Sequence, residues 1–182
     1  MRRGGRAGPT ALEVAVGRER DLSTLHGMLG VRVPGDPDWK QDVVGPAVGT
    51  LLAPTDAGWD GFLQYRDYPA GKVLSSSRLC YEAGIKSARF ALLGKSHAFA
   101  EAVPDLRAAA EAAPGGTVVL QSRADLSRVW ARYDPETGGV LLQDECGTAA
   151  RVVAGPLKVG RGQFLYKTDA VLVPRGFCDS GL

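Results

Sequence analysis

Apolar positions change their spacing three times along this chain. Between residues 10 and 28 they recur at loose helical intervals, at Leu12, Val16, Leu22, Leu25 and Met28, with Gly17 interrupting the pattern. From 30 to 93 the runs become short: VRV, VGTLL, GFLQY, KVLSSS and RFALL, separated by Gly, Pro and Asp. Runs of that length bounded by turn residues predict short strands in a small barrel or sandwich. Residues 94–114 are dominated by alanine, and Pro104 is followed by Asp105. Proline at the first helical position and an acid in the first turn predict a helix over about 104–113, ended by Pro114, Gly115 and Gly116. Strand spacing then returns over 117–174 in TVVLQS, GGVLLQ, ARVV, LKV, QFLY and AVLV, with DPETGG at 134–139 as a turn.

This pattern divides the chain into a partly helical N-terminal arm (1–28), a β unit (29–93), an Ala-rich helical connector (94–114), a second β unit (115–175) and a tail (176–182). The fold class expected is mainly β. Units this small bury limited core and are expected to lean on each other.

Composition narrows the function. Of 182 residues, 45% are hydrophobic and 23% charged, and the net charge is +2. That balance gives no electrostatic footprint for nucleic acid. No apolar run reaches the roughly 18 to 20 residues of a membrane span, so no membrane insertion is expected. The basic, Gly-rich start MRRGGRAGPTALEVAVG reads as a plain tail, because Glu13 breaks its apolar part. Cys80, Cys146 and Cys178 form no C-x-x-C pair. An odd, sparse set argues against a disulfide framework and for small apolar residues in a reducing, cytoplasmic setting.

Tests for chemistry mostly fail. GKS at 94–96 ends like a phosphate loop, but Arg89 stands where the motif needs glycine. His26 and His97 have no spacing that ties them to a cysteine, and Cys/His metal spacing is absent. No metal and no cofactor is expected. One enzyme reading stays open, an ADP-ribosyltransferase-like arrangement of Arg66, Ser76 and Glu145, although Arg66 lies only nine positions before Ser75. NAD binding would discriminate it. Aromatic residues are dense in the first β unit, at Trp39, Trp59, Phe62, Tyr65, Tyr68, Tyr81 and Phe90. Most are expected to be core; a peptide-binding face is the alternative.

The stretch GVRVPGDPDWKQD, followed by VGT at 48–50, resembles the opening of the MIB/HERC2 domain: Gly30, Arg32, Val33, Pro37, Asp38, Trp39, Lys40, Val48, Gly49 and Thr50 fill its pattern. FLQYRDY (62–68) and RLCYEAGIKSARFALL (78–93) take the place of its later strands, with a longer turn and without the closing Asp-Leu. TVVLQSRADLSRV (117–129), CGTAARVV (146–153), LKV (157–159) and FLYKTDAVLVP (164–174) resemble the repeat that follows these domains in mind bomb ubiquitin ligases. Cys146, Ala150 and Phe164 depart from that repeat. The resemblance implies two SH3-like β-barrels and a non-catalytic protein-recognition module, binding a protein or peptide, with any ubiquitin transfer left to a RING-type ligase in trans. Under it, Trp39 packs a barrel corner while Asp38 and Lys40 face solvent. The candidate partner-binding residues are Trp39, Lys40, Tyr65, Arg66, Tyr68 and Tyr81. A scaffold subunit, packing against constant neighbours, is the remaining structural alternative.

Overall fold

The computed structural model describes residues 8–64, 87–124 and 126–179. Within them the chain is mixed α/β, built on one seven-stranded sheet of order β2-β1-β7-β6-β5-β4-β3. The strands are β1 (Thr50–Pro54), β2 (Ala98–Phe99), β3 (Thr117–Gln121), β4 (Arg128–Tyr133), β5 (Val140–Asp144), β6 (Ala149–Val159) and β7 (Gln163–Thr168). An isolated bridge between Phe99 and Ser122 links the two ends of this order, so the sheet is nearly closed and barrel-like. The mainly β expectation therefore holds in part. Two SH3-like barrels are not what the described residues display, since one sheet draws strands from both expected units.

The difference lies in the first unit. VGTLL does supply β1, but residues 61–64 of GFLQY fall on α4 (Asp56–Gln64) and RFALL on α5 (Ser87–Lys95). VRV forms no strand, and KVLSSS lies outside the described residues. Short apolar runs do not distinguish a strand from one buried face of a helix. In the second unit TVVLQS, GGVLLQ and QFLY supply β3, β5 and β7, AVLV forms no strand, and β4 adds a strand that no expected run marked; β3, β4 and β5 form an antiparallel meander, and β6 joins ARVV and LKV into one strand around a cis Gly155–Pro156 bond and two register shifts.

From Leu12 onward the segment expected as a plain tail is core, because its apolar residues pack against the sheet. α1 (Ala11–Arg18) is capped by Thr10, whose hydroxyl accepts from Glu13 N at 3.2 Å and donates to Val44 O. α2 (Ser23–Leu29) follows through a short 3-10 turn, and Leu12, Val16, Leu22, Leu25 and Met28 are all buried. With α3 (Trp39–Val44) and α4 they cover one face of β1 and β7. The other face of the sheet closes around a second cluster: Leu52, Phe99, Leu120, Val129, Leu142 and Tyr166 among others. β1 is consequently buried along its whole length, as expected of a strand paired in parallel with β7 and covered on both sides.

The connector helix is present as α6 (Leu106–Ala112), with Asp105 rather than Pro104 at its start: Asp105 Oδ1 accepts from Ala108 N at 2.9 Å. Leu106 joins the second cluster and Ala110 is buried. Tyr166 on β7 fixes this entry, its hydroxyl donating to Val103 O at 2.7 Å and accepting from Leu106 N at 3.0 Å. The chain leaves β7 in an extended segment that leads into a short helix, α7 (Arg175–Asp179).

Candidate functional site

The Pro-Asp-Trp-Lys block opens helix α3 instead of a barrel corner. Trp39 is 2% exposed; its Nε1 donates to Val31 O at 3.0 Å and its ring packs against Gly94. A Cβ at Gly94 would stand 2.9 Å from Trp39 Cζ3, so the glycine of GKS serves packing. Trp39 is thus core and offers no contact surface. Lys40 pairs with Glu13 at 3.1 Å. Tyr65, Arg66, Tyr68, Tyr81 and Ser76 lie outside the described residues. Glu145 does not stand free as a catalytic acid would: Arg128 Nε and Nη2 both donate to its Oε1 at 3.1 Å, and Arg175 Nε is 3.9 Å from Oε2.

That ion pair belongs to a surface no part of the sequence reading singled out. Side chains alternate across the sheet, and the register brings one set together on the outer face of β3–β6. Val119 faces Trp130, Trp130 faces Gln143, and Arg132 faces Leu141, which faces Arg151. Val119 is 50% exposed and Val153, further along β6, 54%. Trp130 is half-buried at the centre, with the Arg128 guanidinium 5.3 Å from its ring centroid. An open cleft of about 930 Å³ runs over this face, lined by Arg128, Trp130, Arg132, Gln143 and Arg175. Its charged lining residues are Arg128, Arg132 and Arg175 together with Asp144 and Glu145, and Glu145 is shared by Arg128 and Arg175. Arg151 lies 3.8 Å from Asp134, whose carboxyl is held below its ordinary value chiefly by hydrogen bonds from Thr137 and the Glu136 amide. The signal that could have found this surface is Arg128-x-Trp130-x-Arg132, three residues at strand period placed on one face.

At one end of this face the chain is crosslinked. Cys146 and Cys178 form a disulfide, with Cα atoms 5.6 Å apart. This corrects the expectation of unpaired apolar cysteines, and with it the reason for inferring a reducing compartment; Cys80 lies outside the described residues. The bond ties the β5–β6 turn to α7. Asp144 reinforces the junction: its carboxylate accepts from Cys146 N, Thr148 N and Val173 N, each at 2.9 Å. Burial raises its pKa against those three donors. Ser127 Oγ accepts from Arg175 N at 3.1 Å. On the far side of the crosslink a second cavity, of about 470 Å³, is lined by Phe62, Val171, Val173, Phe177 and both cysteines.

Among the described residues no group of three or more His, Cys, Asp or Glu could hold a metal ion, and no helix is long and apolar enough to cross a membrane.

No family model matches this chain, and no curated protein matches it. Among solved structures it is similar to a FAS1 domain pair from the insect cell adhesion molecule fasciclin I, with a TM-score of 0.51 at 11% identity. The match covers 74% of this chain and 40% of that one, so the chain spans less than half the length of the structure it resembles. At that identity the likeness is one of fold.

Proposed function

We propose that this chain is a non-catalytic recognition module that takes an extended, acidic protein segment across the outer face of β3–β6. The observation that carries the reading is Trp130, half-buried in the cleft on the outer sheet face and bordered by Arg128, Arg132 and Arg175. A rigid aromatic with a polar edge supplies contact area at low entropic cost, and arginine guanidinium groups pair bidentately with carboxylates. Aromatic and arginine anchors of this kind dominate binding where they occur together. The likeness to a protein described as a cell adhesion molecule supports a recognition role by analogy of fold. The reading keeps the recognition part of the mind bomb resemblance and takes no ubiquitin-transfer role from it.

The test is fluorescence anisotropy with a fluorescein-labelled peptide of alternating Glu and Ser, against a Lys/Ser control. The acidic peptide is expected to bind, with affinity falling as salt rises. Trp130→Ala should weaken it by about tenfold, or roughly 1.4 kcal/mol, and Arg132→Glu should weaken it further. Equal binding of both peptides, or affinity unchanged in both variants, sinks the proposal.

A further inference from the structure

We propose that the acidic segment binds as an added strand along the open edge of β3, pairing its backbone with Thr117, Val119 and Gln121. The inference deepens the recognition reading and rests on it; the place of the pairing comes from the strand register.

β3 stands at the end of the strand order, with β4 as its neighbour on one side. The bridge from Phe99 closes the barrel at Ser122, one residue past the end of β3, so that among the described residues Thr117–Gln121 has no second partner strand. The register tells which backbone groups this leaves outward, because bonded pairs alternate along an antiparallel ladder. Ser122 N donates to Ser127 O at 2.7 Å, so Leu120–Val129 and Val118–Ala131 are bonded pairs of β3 and β4. The other side of β4 agrees. Asp134 N donates to Gly139 O at 2.9 Å, which makes Arg132 and Trp130 the residues of β4 that bond to β5. The N–H and C=O groups of Thr117, Val119 and Gln121 therefore point away from β4. Among the described residues none of these groups takes part in a hydrogen bond.

Edge strands of soluble proteins usually carry a charge, a proline or a bulge that discourages pairing. TVVLQ carries no charge and no proline, and its five residues keep one register with β4. Such an edge accepts an extended chain: main-chain hydrogen bonds hold it, and alternate side chains set the choice. The outward groups belong to the residues whose side chains lie on the outer face, with Val119 opposite Trp130 and Thr117 lining the recognition cleft. A strand added at the usual spacing of about 4.8 Å would lie roughly 10 Å from β4. Glutamate and arginine side chains together span that distance, so alternate acids of the segment meet Arg132 and Arg128 over the top of β3. Arg132 stands opposite Thr117, at the end of β3 away from the Arg128–Glu145 pair. A second copy of this chain suits the edge less well, since antiparallel pairing of two β3 strands would set the arginines of both outer faces side by side.

The experiment uses the full chain, isotope-labelled, with the Glu/Ser peptide. Amide exchange is read by nuclear magnetic resonance and affinity by anisotropy. In the free chain the amides of Val118 and Leu120 should exchange slowly and those of Thr117, Val119 and Gln121 rapidly. Saturating peptide should slow those three at least tenfold and leave Val118 and Leu120 as they were. Two further peptides, N-methylated at every Glu or at every Ser, block one edge of the ligand strand each. One of them should bind at least tenfold more weakly than the unmodified peptide and the other about as well. Methylation at Glu is the damaging one for an antiparallel strand, and at Ser for a parallel one. Peptide binding that leaves the three amides fast, or that both methylated peptides reproduce equally, overturns the edge while the recognition reading stands. Slowing of the three amides with protein concentration alone would assign the edge to a second copy and overturns the proposal too. If no peptide binds, the recognition reading fails and the edge proposal falls with it.

Discussion

The His97 ring joins two distant parts of the backbone. Nε2 accepts from Leu172 N at 3.0 Å, which places the ring proton on Nδ1, where it is donated to Leu93 O at 3.0 Å. The ring is fully buried, and burial, only partly opposed by the Leu93 and Gly94 carbonyls, lowers its pKa to about 4. Protonation would also put a second N–H against the Leu172 amide. The folded state therefore prefers neutral His97, and its contribution to stability is fully present above the unfolded value near 6.5. That contribution is lost as pH falls from 6.5 through 4, up to about 3 kcal/mol. Urea midpoints taken across this window should drop in the native chain, and His97→Gln should remove this component of the slope. Trp39 makes a second prediction at this scale. Gly94→Ala drives a methyl into its ring and should cost about 1 to 3 kcal/mol, whereas Trp39→Ala should cost about 3 to 5 kcal/mol. Thermal unfolding reads both. A Gly94→Ala protein as stable as the native chain would show that the helices α3 and α5 can part without strain.

Among the elements, the junction of β5, β6 and α7 concentrates interactions on one carboxylate. Asp144→Ala leaves three amides without their acceptor and should destabilise the chain by about 3 kcal/mol or more, measured by urea unfolding. If the loss were within a few tenths of a kcal/mol, water would be replacing the carboxylate and the junction would not be rigid. What the sequence conveyed at this scale was uneven, for a physical reason. β3 and β5 were legible as short apolar runs, and the DPETGG turn before β5 is closed by the Asp134 side chain, whereas β4, RVWARY, was missed because its arginines break the apolar run although burial alternates along it. The helices of the first half have two neighbours, sheet and helix, which widens their apolar faces and breaks them into short runs that look like strands. The connector helix announced itself through alanine content and an acidic cap. The recognition face escaped notice because its residues are spread over four strands and meet only through register. The Cys146–Cys178 pair escaped because nothing in spacing singles out two cysteines of three.

At the scale of the whole molecule, stability comes from two apolar clusters that share β1 and β7 as their common wall, reinforced by a crosslink between residues 32 apart. In the chain-entropy account a closed loop of that size contributes about 3 to 4 kcal/mol. Urea unfolding with and without dithiothreitol should differ by that amount, and a smaller gap would indicate that the reduced unfolded chain is already compact near the two cysteines. Net charge is small, and the outer-face arginines Arg128, Arg175 and Arg151 have acids of their own in Glu145 and Asp134, as Lys95 has Asp36 and Asp42 and Lys167 has Glu19 and Asp21. The recognition face is consequently a local feature that overall charge does not reveal.

The parallel pairing of β1 with β7 sets a timetable for synthesis. Leu51 has its register partner in Leu165, and Leu52 in Tyr166. On the ribosome β1 emerges early, every one of its side chains destined for burial, and the strand that covers its edge arrives only when most of the chain has been made. Until then, among the described residues, the TLLAP segment has for cover the helices around it and the two residues of β2. A nascent chain stalled before residue 160 should accordingly be bound by chaperones and be easily proteolysed, and one released after residue 170 should be neither.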